Sequence, residues 1–308
     1  MLSFVVCRPR GERPLPRYLV TVAIALAAFG SAAIYTPVAA GPTGGTLTFS
    51  DVFLKQGIYT SDANLLNRHR VLDSSHPFRP QWLPDGSKIS FLMHFKDKER
   101  LEIMDPDGSN RQILVSRPEL PARLKFITRY TWSPDATRLA LCLTTKNYTV
   151  TKSYIVDADG SSRALLSDNS CVASWSAEDR ILAARDSRVF ILMDPDGGNR
   201  ARIDPGMRVA DPELSPAGTL IAFMCGKLVH ADICTIGVDG SALSHLTRSR
   251  RIDWSPSWSP DGSRIIWAPT TNSKYQSADL MRTWSDGTHK VRLTDTPHID
   301  EYEPDWKA

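Results

Sequence analysis

The sequence predicts an all-β protein, a β-propeller of six blades in which each blade has four antiparallel strands. Three observations lead to this fold. A Trp-Ser-Pro-Asp-Gly phrase recurs along the chain at intervals of roughly 40–50 residues, a period typical of a propeller or a solenoid. Each copy is followed by a second turn, which contains Asp-Gly. The two ends of the chain supply complementary parts of one further blade.

The recurring phrase has the chemistry of a tight turn. Clear copies begin at Trp82, Trp132 and Trp258, and degraded copies begin at Trp175 and Leu214. Proline fixes φ, aspartate accepts a local hydrogen bond and glycine tolerates positive φ, which together favour a turn between two strands. The second turns follow at Asp107-Gly108, Asp159-Gly160, Asp196-Gly197, Asp239-Gly240 and Asp286-Gly287.

One repeat accounts for four strands. In the last full unit, apolar or alternating segments at 257–259, 264–268, 279–284 and 289–294 are separated by turn signals. This pattern predicts an antiparallel four-stranded meander, which is one propeller blade. Units that start near residues 79, 129, 172 and 211 follow the same pattern.

The first and last segments predict how the ring closes. Residues 46–49, 57–60 and 70–72 form three strands without a preceding Trp phrase, and residues 303–306 carry that phrase at the end of the chain. Joining them completes a sixth blade and removes the exposed sheet edges.

The motifs also carry a family resemblance. The phrase, with the Asp-Pro-Asp-Gly-Ser-Asn-Arg turn at 105–111 and nearly again at 194–200, resembles the WD40-like PD40 repeat of the TolB β-propeller family. The resemblance covers nearly all of the chain after the leader and implies a six-bladed propeller. The family's best-known member carries an additional N-terminal α/β domain, for which we expect no room before Thr46.

The first forty residues predict export. Four arginines precede a charge-free apolar run that begins at Tyr18, and Val38-Ala39-Ala40 is a plausible cleavage site. We therefore assign residues 1–40 to a signal peptide and 41–308 to the propeller, in the periplasm or outside the cell. The alternative is an uncleaved anchor over 18–40, which would still leave the body outside the cytoplasm.

Charge limits the classes of partner. The net charge is +3, but four of the 37 basic residues and one of the 34 acidic residues lie in the leader, so the body is neutral. A phosphate backbone is therefore not an expected partner. We expect a monomeric propeller without a cofactor or metal, whose partner is a protein or peptide of the cell envelope.

Four cysteines follow the leader: Cys142, Cys171, Cys225 and Cys234. Their spacing excludes a dense disulfide scaffold and a zinc knuckle. Cys225 and Cys234 flank a strand–loop–strand, so they either form a cross-strand disulfide or stay as buried thiols. A bridge between Cys142 and Cys171 is less favoured.

The functional candidates are the positions that vary between blades. The repeated tryptophans are expected to pack between blades, and the Asp-Gly pairs to serve their turns. Three residues before each aligned Trp, or Leu214, the chain carries Arg79, Arg129, Val172, Asp211, Ser255 and Glu303. We expect these six to ring one mouth of the channel, where they either bind a zwitterionic or peptide ligand or seal the channel by mutual ion pairs.

Loops that lead into the innermost strands are a second candidate surface. The loop before the sixth blade carries arginines at 248, 250 and 251, followed by Asp253 and Trp254, and the closing segment adds Asp300. The loop before the third blade carries Arg117, Arg123 and Lys125. Arginine beside tryptophan is typical of interaction hot spots, although charged loops are also commonly only solvated.

Catalytic motifs are absent from the sequence. It contains no Gly-x-Ser-x-Gly and no His-Glu-x-x-His, and a converging His76 and His298 would lack a third metal ligand. The sequence therefore favours a non-enzymatic binding platform that uses one face of the channel. The alternatives are a propeller lyase or hydrolase that uses polar channel residues, and a purely structural module.

Overall fold

A computed structural model gives the fold of most of the chain after the leader. It describes residues 47–51, 56–74, 76–95, 98–116, 124, 126–145, 147, 149–227, 230–270, 279–296 and 301–307. In these residues, 24 strands form six antiparallel sheets of four strands, and no helix is long and apolar enough to cross a bilayer. The predicted six-bladed propeller is confirmed. The leader assigned to 1–40 lies outside the described residues.

The first three blades follow one order from the channel outward. Blade 1 contains β24 (Glu301–Trp306), β1 (Leu47–Asp51), β2 (Gly57–Ser61) and β3 (His69–Asp73). Blade 2 contains β4 (Pro77–Trp82), β5 (Ile89–Phe95), β6 (Lys98–Met104) and β7 (Gln112–Val115). Blade 3 contains β8 (Phe126–Trp132), β9 (Arg138–Thr144), β10 (Thr151–Asp157) and β11 (Arg163–Ser167).

The last three blades repeat this order. Blade 4 contains β12 (Cys171–Trp175), β13 (Ile181–Arg185), β14 (Val189–Met193) and β15 (Ala201–Ile203). Blade 5 contains β16 (Val209–Leu214), β17 (Leu220–Lys227), β18 (His230–Gly237) and β19 (Ser244–His245). Blade 6 contains β20 (Asp253–Trp258), β21 (Arg264–Pro269), β22 (Met281–Trp284) and β23 (Val291–Arg292).

The ring closes where the sequence predicts. Strand β24 pairs antiparallel with β1, with Leu47 opposite Trp306 and Ser50 opposite Tyr302. The last strand of the chain is therefore the innermost strand of the first blade. This pairing gives blade 1 its fourth strand and leaves β1 paired on both sides.

The Trp-phrase turns are held by their own aspartates. The Asp side chain accepts a hydrogen bond from the backbone N–H two residues later, at 2.9 Å for Asp85, 3.1 Å for Asp135 and 3.0 Å for Asp261. The hydroxyl of the serine two residues earlier is the main cause that lowers the pKa of Asp135 and of Asp261 to about 2. Gly86 takes φ +66° in this turn, and Ala136 takes φ +56° at the same place without being glycine.

The repeated tryptophans are core residues between blades. Trp258 is 4% exposed and belongs to a cluster that includes Ala222 and Ile233 of blade 5 and Ile265 of blade 6. Trp306 packs in the same way between blades 6 and 1. Each indole fills the space between two neighbouring sheets. The tryptophan therefore recurs because each pair of blades needs a packing residue at this place.

Two disulfides are present. Cys142 of β9 is joined to Cys171 of β12, which links blades 3 and 4. Cys225 and Cys234 are joined within blade 5, between β17 and β18.

Candidate binding site in the central channel

The ring residues lie on bulges of the innermost strands. Register shifts interrupt the pairing of β4, β16 and β20 at the ring positions. Arg79, Asp211, Ser255 and Glu303 have φ of 52°, 45°, 48° and 53° and each precedes a proline. A left-handed conformation in a residue other than glycine costs about 1–2 kcal/mol. The surrounding sheets hold these bulges, which turn the ring side chains toward the channel.

Four ring residues are joined by ion pairs across the channel. The guanidinium of Arg79 lies 3.7 Å from Asp211 and 3.6 Å from Glu303, and Arg129 forms a closer pair with Asp211. The backbone N–H of Arg79 also donates to Glu303 at 2.6 Å. These side chains are 14–22% exposed. Of the two roles expected for the ring, mutual pairing is the one that this geometry shows.

One predicted ring member lies elsewhere. Val172 is fully buried, and Ala173 lines the channel in its place. The cause is the position of the bulge, which falls between Val172 and Ser174 in β12, one residue later than the alignment on Trp175 implies. The prediction that Val172 faces the channel is wrong.

The second candidate surface is only partly a surface. The arginines at 248, 250 and 251 are exposed, but Asp253 is only 2% exposed. Burial raises the pKa of Asp253, while hydrogen bonds from the loop, including the hydroxyl of Thr247, oppose that rise. Asp253 therefore lies inside the blade, contrary to its prediction as a partner-facing group. Trp254 packs partly buried against Met224 and Ile252.

The remaining predicted candidates have different positions. Ser255 lines the channel cavity. Asp300, His298 and the basic residues at 117, 123 and 125 lie outside the described residues.

A second layer of polar side chains lies one residue before each aligned tryptophan, or before Leu214 in blade 5, and sequence reasoning missed it. Asp305 accepts the backbone N–H of Trp82 at 2.8 Å, and Glu213 accepts that of Trp258 at 3.1 Å. Each bond joins one blade to the next. The signal in the sequence was available, because this position carries the acidic residues Glu213 and Asp305, and a strand with a purely structural role has no need of charge there.

The two carboxyl groups of this layer are strongly perturbed. Burial raises the pKa of Glu213 to about 8, and the charge of Asp305 adds to that rise. Burial likewise raises the pKa of Asp305 to about 7. At pH 7 these pKa values leave most of Glu213 and about half of Asp305 protonated, so each group is able to donate as well as accept a hydrogen bond.

A cavity of about 260 Å³ joins both layers to one end of the channel. We call that end the turn face, because its lining includes Pro84, Ala177 and Pro216 of the turns that follow the Trp phrases. The opposite end, the loop face, carries the loops that lead into the innermost strands. The ion pairs of the ring cross the channel between the cavity and the loop face. The cavity is therefore reached from the turn face.

Among the described residues, the cavity lining contains no catalytic pair of the nucleophile and base type. Histidine and cysteine are absent from that described lining, so its serines have no imidazole partner there. In the described residues, one group of metal-ligating side chains comes together, namely Cys225, Cys234 and His245. Its two sulfur atoms are joined in a disulfide, which removes them as thiolate ligands.

Comparisons with known proteins agree with this architecture. The family described as TolB beta propeller domain, PD40, matches residues 47–308. TolB from Acinetobacter baumannii superimposes with a TM-score of 0.71 at 18% identity, over 85% of this chain and 66% of that one. A putative TolB from Agrobacterium tumefaciens gives 0.65 at 18% identity, over 87% of this chain and all of that one.

One relative in sequence is an enzyme. Dipeptidyl-peptidase 5 of Porphyromonas endodontalis is 24% identical over 226 residues, which cover 66% of this chain and 31% of that protein. The chain spans less than half the length of the curated relatives it matches.

Proposed function

Because the chain belongs to the TolB β-propeller family, we propose that it is a binding platform of the cell envelope, which takes a protein or peptide segment into the channel from the turn face. The observation that carries this proposal is the cavity of about 260 Å³ that is lined by polar groups and reached from that face. Rigid scaffolds with such concave sites are typical of recognition modules.

The chemistry of the cavity supports a peptide-like ligand. Glu213 and Asp305 offer carboxyl groups that donate or accept hydrogen bonds, and Gln81 and Ser174 add neutral polar groups. Backbone amides of an inserted segment present the complementary donors and acceptors. The export of the chain is part of the same proposal and rests on its apolar leader.

An enzyme is the second candidate, and one observation favours it. The raised pKa values of Glu213 and Asp305, about 8 and 7, lie in the range that suits general acid–base catalysis. A relative with a peptidase name matches 66% of this chain at 24% identity, which supports this candidate. Desolvation explains both pKa values without catalysis, and the part of the lining that the structure describes lacks a nucleophile and base pair, so we place this candidate second.

Blocking the cavity separates the proposals. Ala177 is exposed and lines the cavity, so Ala177→Arg fills the opening without changing the core. Ala201 is also exposed but lies on the outermost strand of blade 4, so Ala201→Arg is the matched control. We expect Ala177→Arg to abolish capture of the partner from an envelope fraction and Ala201→Arg to leave it intact.

Turnover decides between the platform and the enzyme. The wild type and Glu213→Gln are compared with peptide and oligosaccharide substrates, and the same two proteins are compared in partner capture. The platform proposal is contradicted if the wild type turns over a substrate and Glu213→Gln loses this turnover but still captures the partner. Equal loss of capture in Ala177→Arg and Ala201→Arg contradicts binding through the turn face.

A further inference from the structure

A second cavity lies on blade 4 and the segment that leads from it to blade 5, apart from the channel. Its volume is about 420 Å³, which is within the range of about 300–1,000 Å³ typical of ligand pockets. The tip of the β13–β14 hairpin and the segment between β15 and β16 form it, and its polar lining consists of Arg185, Asp186, Arg188, Arg202 and Asp204. None of these residues lines the channel cavity.

The backbone around this cavity is held in place. Asp186 and Ser187 both take φ +52°, which makes a tight two-residue turn, and the N–H of Arg188 donates to the carbonyl of Arg185 at 3.0 Å. The N–H of Val209 donates to the carbonyl of Ser187 at 2.9 Å, so the hairpin tip is tied to blade 5. The arginines at the two ends of this turn therefore project from fixed backbone.

Among the described residues, the aspartates of the cavity form an ion pair with one of its three arginines, Arg202. Asp204 accepts the N–H of Gly206 at 2.9 Å and pairs with Arg202 at 2.6 Å. These two contacts, the backbone hydrogen bond first, lower the pKa of Asp204, so the carboxylate is ionised and occupied. The charge of Arg188 also contributes to that lowering, which places Arg188 near Asp204 without a direct ion pair.

Two guanidinium groups remain available. The Nε atom of Arg185 is buried and has no hydrogen-bond partner. Arg188 is exposed, and its side chain makes no hydrogen bond or ion pair with any residue that the structure describes. Both arginines line the cavity, so the other N–H groups of their guanidiniums can donate to an acceptor that enters it.

We propose that this cavity is an anion site that binds a phosphate group between Arg185 and Arg188. Guanidinium groups present planar sets of donors that match an oxyanion, and the oxygens of a phosphate can accept from two guanidiniums at once. Three arginines and two aspartates line the cavity, a net charge of +1. This balance suits one phosphate group and does not suit a polyanion. The cavity leaves room for the substituent that carries the phosphate.

Calorimetric titration with inorganic phosphate, against chloride at equal ionic strength, tests the site. The variant is Arg188→Gln, which removes an exposed charge and keeps the fold. The control is Arg251→Gln, which removes an exposed arginine of another loop. Thermal melting checks that both variants are folded. We expect binding of phosphate by the wild type and by Arg251→Gln, and a loss of about tenfold or more in Arg188→Gln.

Two vesicle preparations identify the source of the phosphate. The site is assigned to a lipid head group if the wild type sediments with phosphatidylglycerol vesicles but not with phosphatidylcholine vesicles, and if Arg188→Gln sediments with neither. Binding of free phosphate without vesicle binding assigns it to a soluble phosphorylated ligand. No phosphate or vesicle binding by the wild type, or equal binding by Arg188→Gln, overturns the proposal.

Discussion

Substitution of Asp305 by asparagine is expected to stabilise the protein in a way that depends on pH. In the folded state, burial raises the pKa of Asp305 from 3.8 to about 7. The unfolded chain releases this proton at the lower value, so the folded state loses stability as the pH rises from about 4 to about 7. An asparagine at this position does not ionise, and its side-chain oxygen is able to keep the hydrogen bond from the N–H of Trp82.

The magnitude follows from the size of the pKa rise. One pKa unit corresponds to 1.36 kcal/mol, so a rise from 3.8 to about 7 corresponds to about 4 kcal/mol above pH 7. Water in the channel screens part of this, and about 2 kcal/mol is the expected gain at pH 8. For a domain of this size, about 2 kcal/mol raises Tm by roughly 4–8 °C. At pH 4.5 the folded state still holds its proton, whereas most of the unfolded chain has lost it, and the same relation gives about 1 kcal/mol before screening. The gain at pH 4.5 is therefore expected to be about a quarter of the gain at pH 8.

Thermal unfolding of the wild type and Asp305→Asn at pH 4.5 and pH 8 measures this effect. Asp286→Asn is the control, because the hydroxyl of Thr288 lowers the pKa of that exposed carboxyl. Loss of its charge is therefore expected to give no gain at pH 8. An equal change in Tm for Asp305→Asn at both pH values, or a loss at pH 8, refutes the account of the buried carboxyl.

Three further predictions concern the ring of blades. Ala136→Gly relieves the left-handed backbone at φ +56° and is expected to stabilise by up to about 1 kcal/mol in urea unfolding, whereas Ala201→Gly gives no gain. Trp306→Ala leaves a cavity between blades 6 and 1 and is expected to lower the free energy of unfolding by about 3–5 kcal/mol. A loss under about 1 kcal/mol would show that closure of the propeller does not depend on this indole. Cys142→Ala is expected to lower Tm more than Cys225→Ala under oxidising conditions, because their disulfides span 29 and 9 residues. If each variant lowers Tm by the same amount with and without a reductant, the result contradicts both disulfides.

The architecture was accessible from the sequence because its signals are local and repeated. Each Trp phrase combines an interblade aromatic residue with a turn, and both roles act within a few residues. Ring closure was also accessible, because the strand that blade 1 lacks is present at Glu303–Trp306. These repeated signals can be recognised in the sequence without knowledge of the side-chain contacts in the folded protein.

The site was less accessible because it depends on the register of the bulges. The bulge of β12 lies one residue away from its expected position, and this shift buries Val172 and exposes Ala173 to the channel. Counting back from Trp175 does not reveal such a shift. The pairing of Arg129 with Asp211 crosses from blade 3 to blade 5, and no spacing along the chain specifies a contact between those blades.

The second polar layer was missed for a different reason. Asp305 and Glu213 bind the backbone of the next blade, so their role depends on a neighbour more than forty residues away in sequence or at the other end of the chain. Their charge at a channel position was the one available signal.

Photo-crosslinking from a benzophenone side chain tests the platform most directly. The probe is placed at position 177, on the turn face beside the cavity, and at position 201, on the outermost strand of blade 4, in the full chain within its own envelope. Binding through the turn face predicts one discrete crosslinked species from position 177 that is absent from position 201. Crosslinking of equal yield from both positions, or none from position 177, would contradict it.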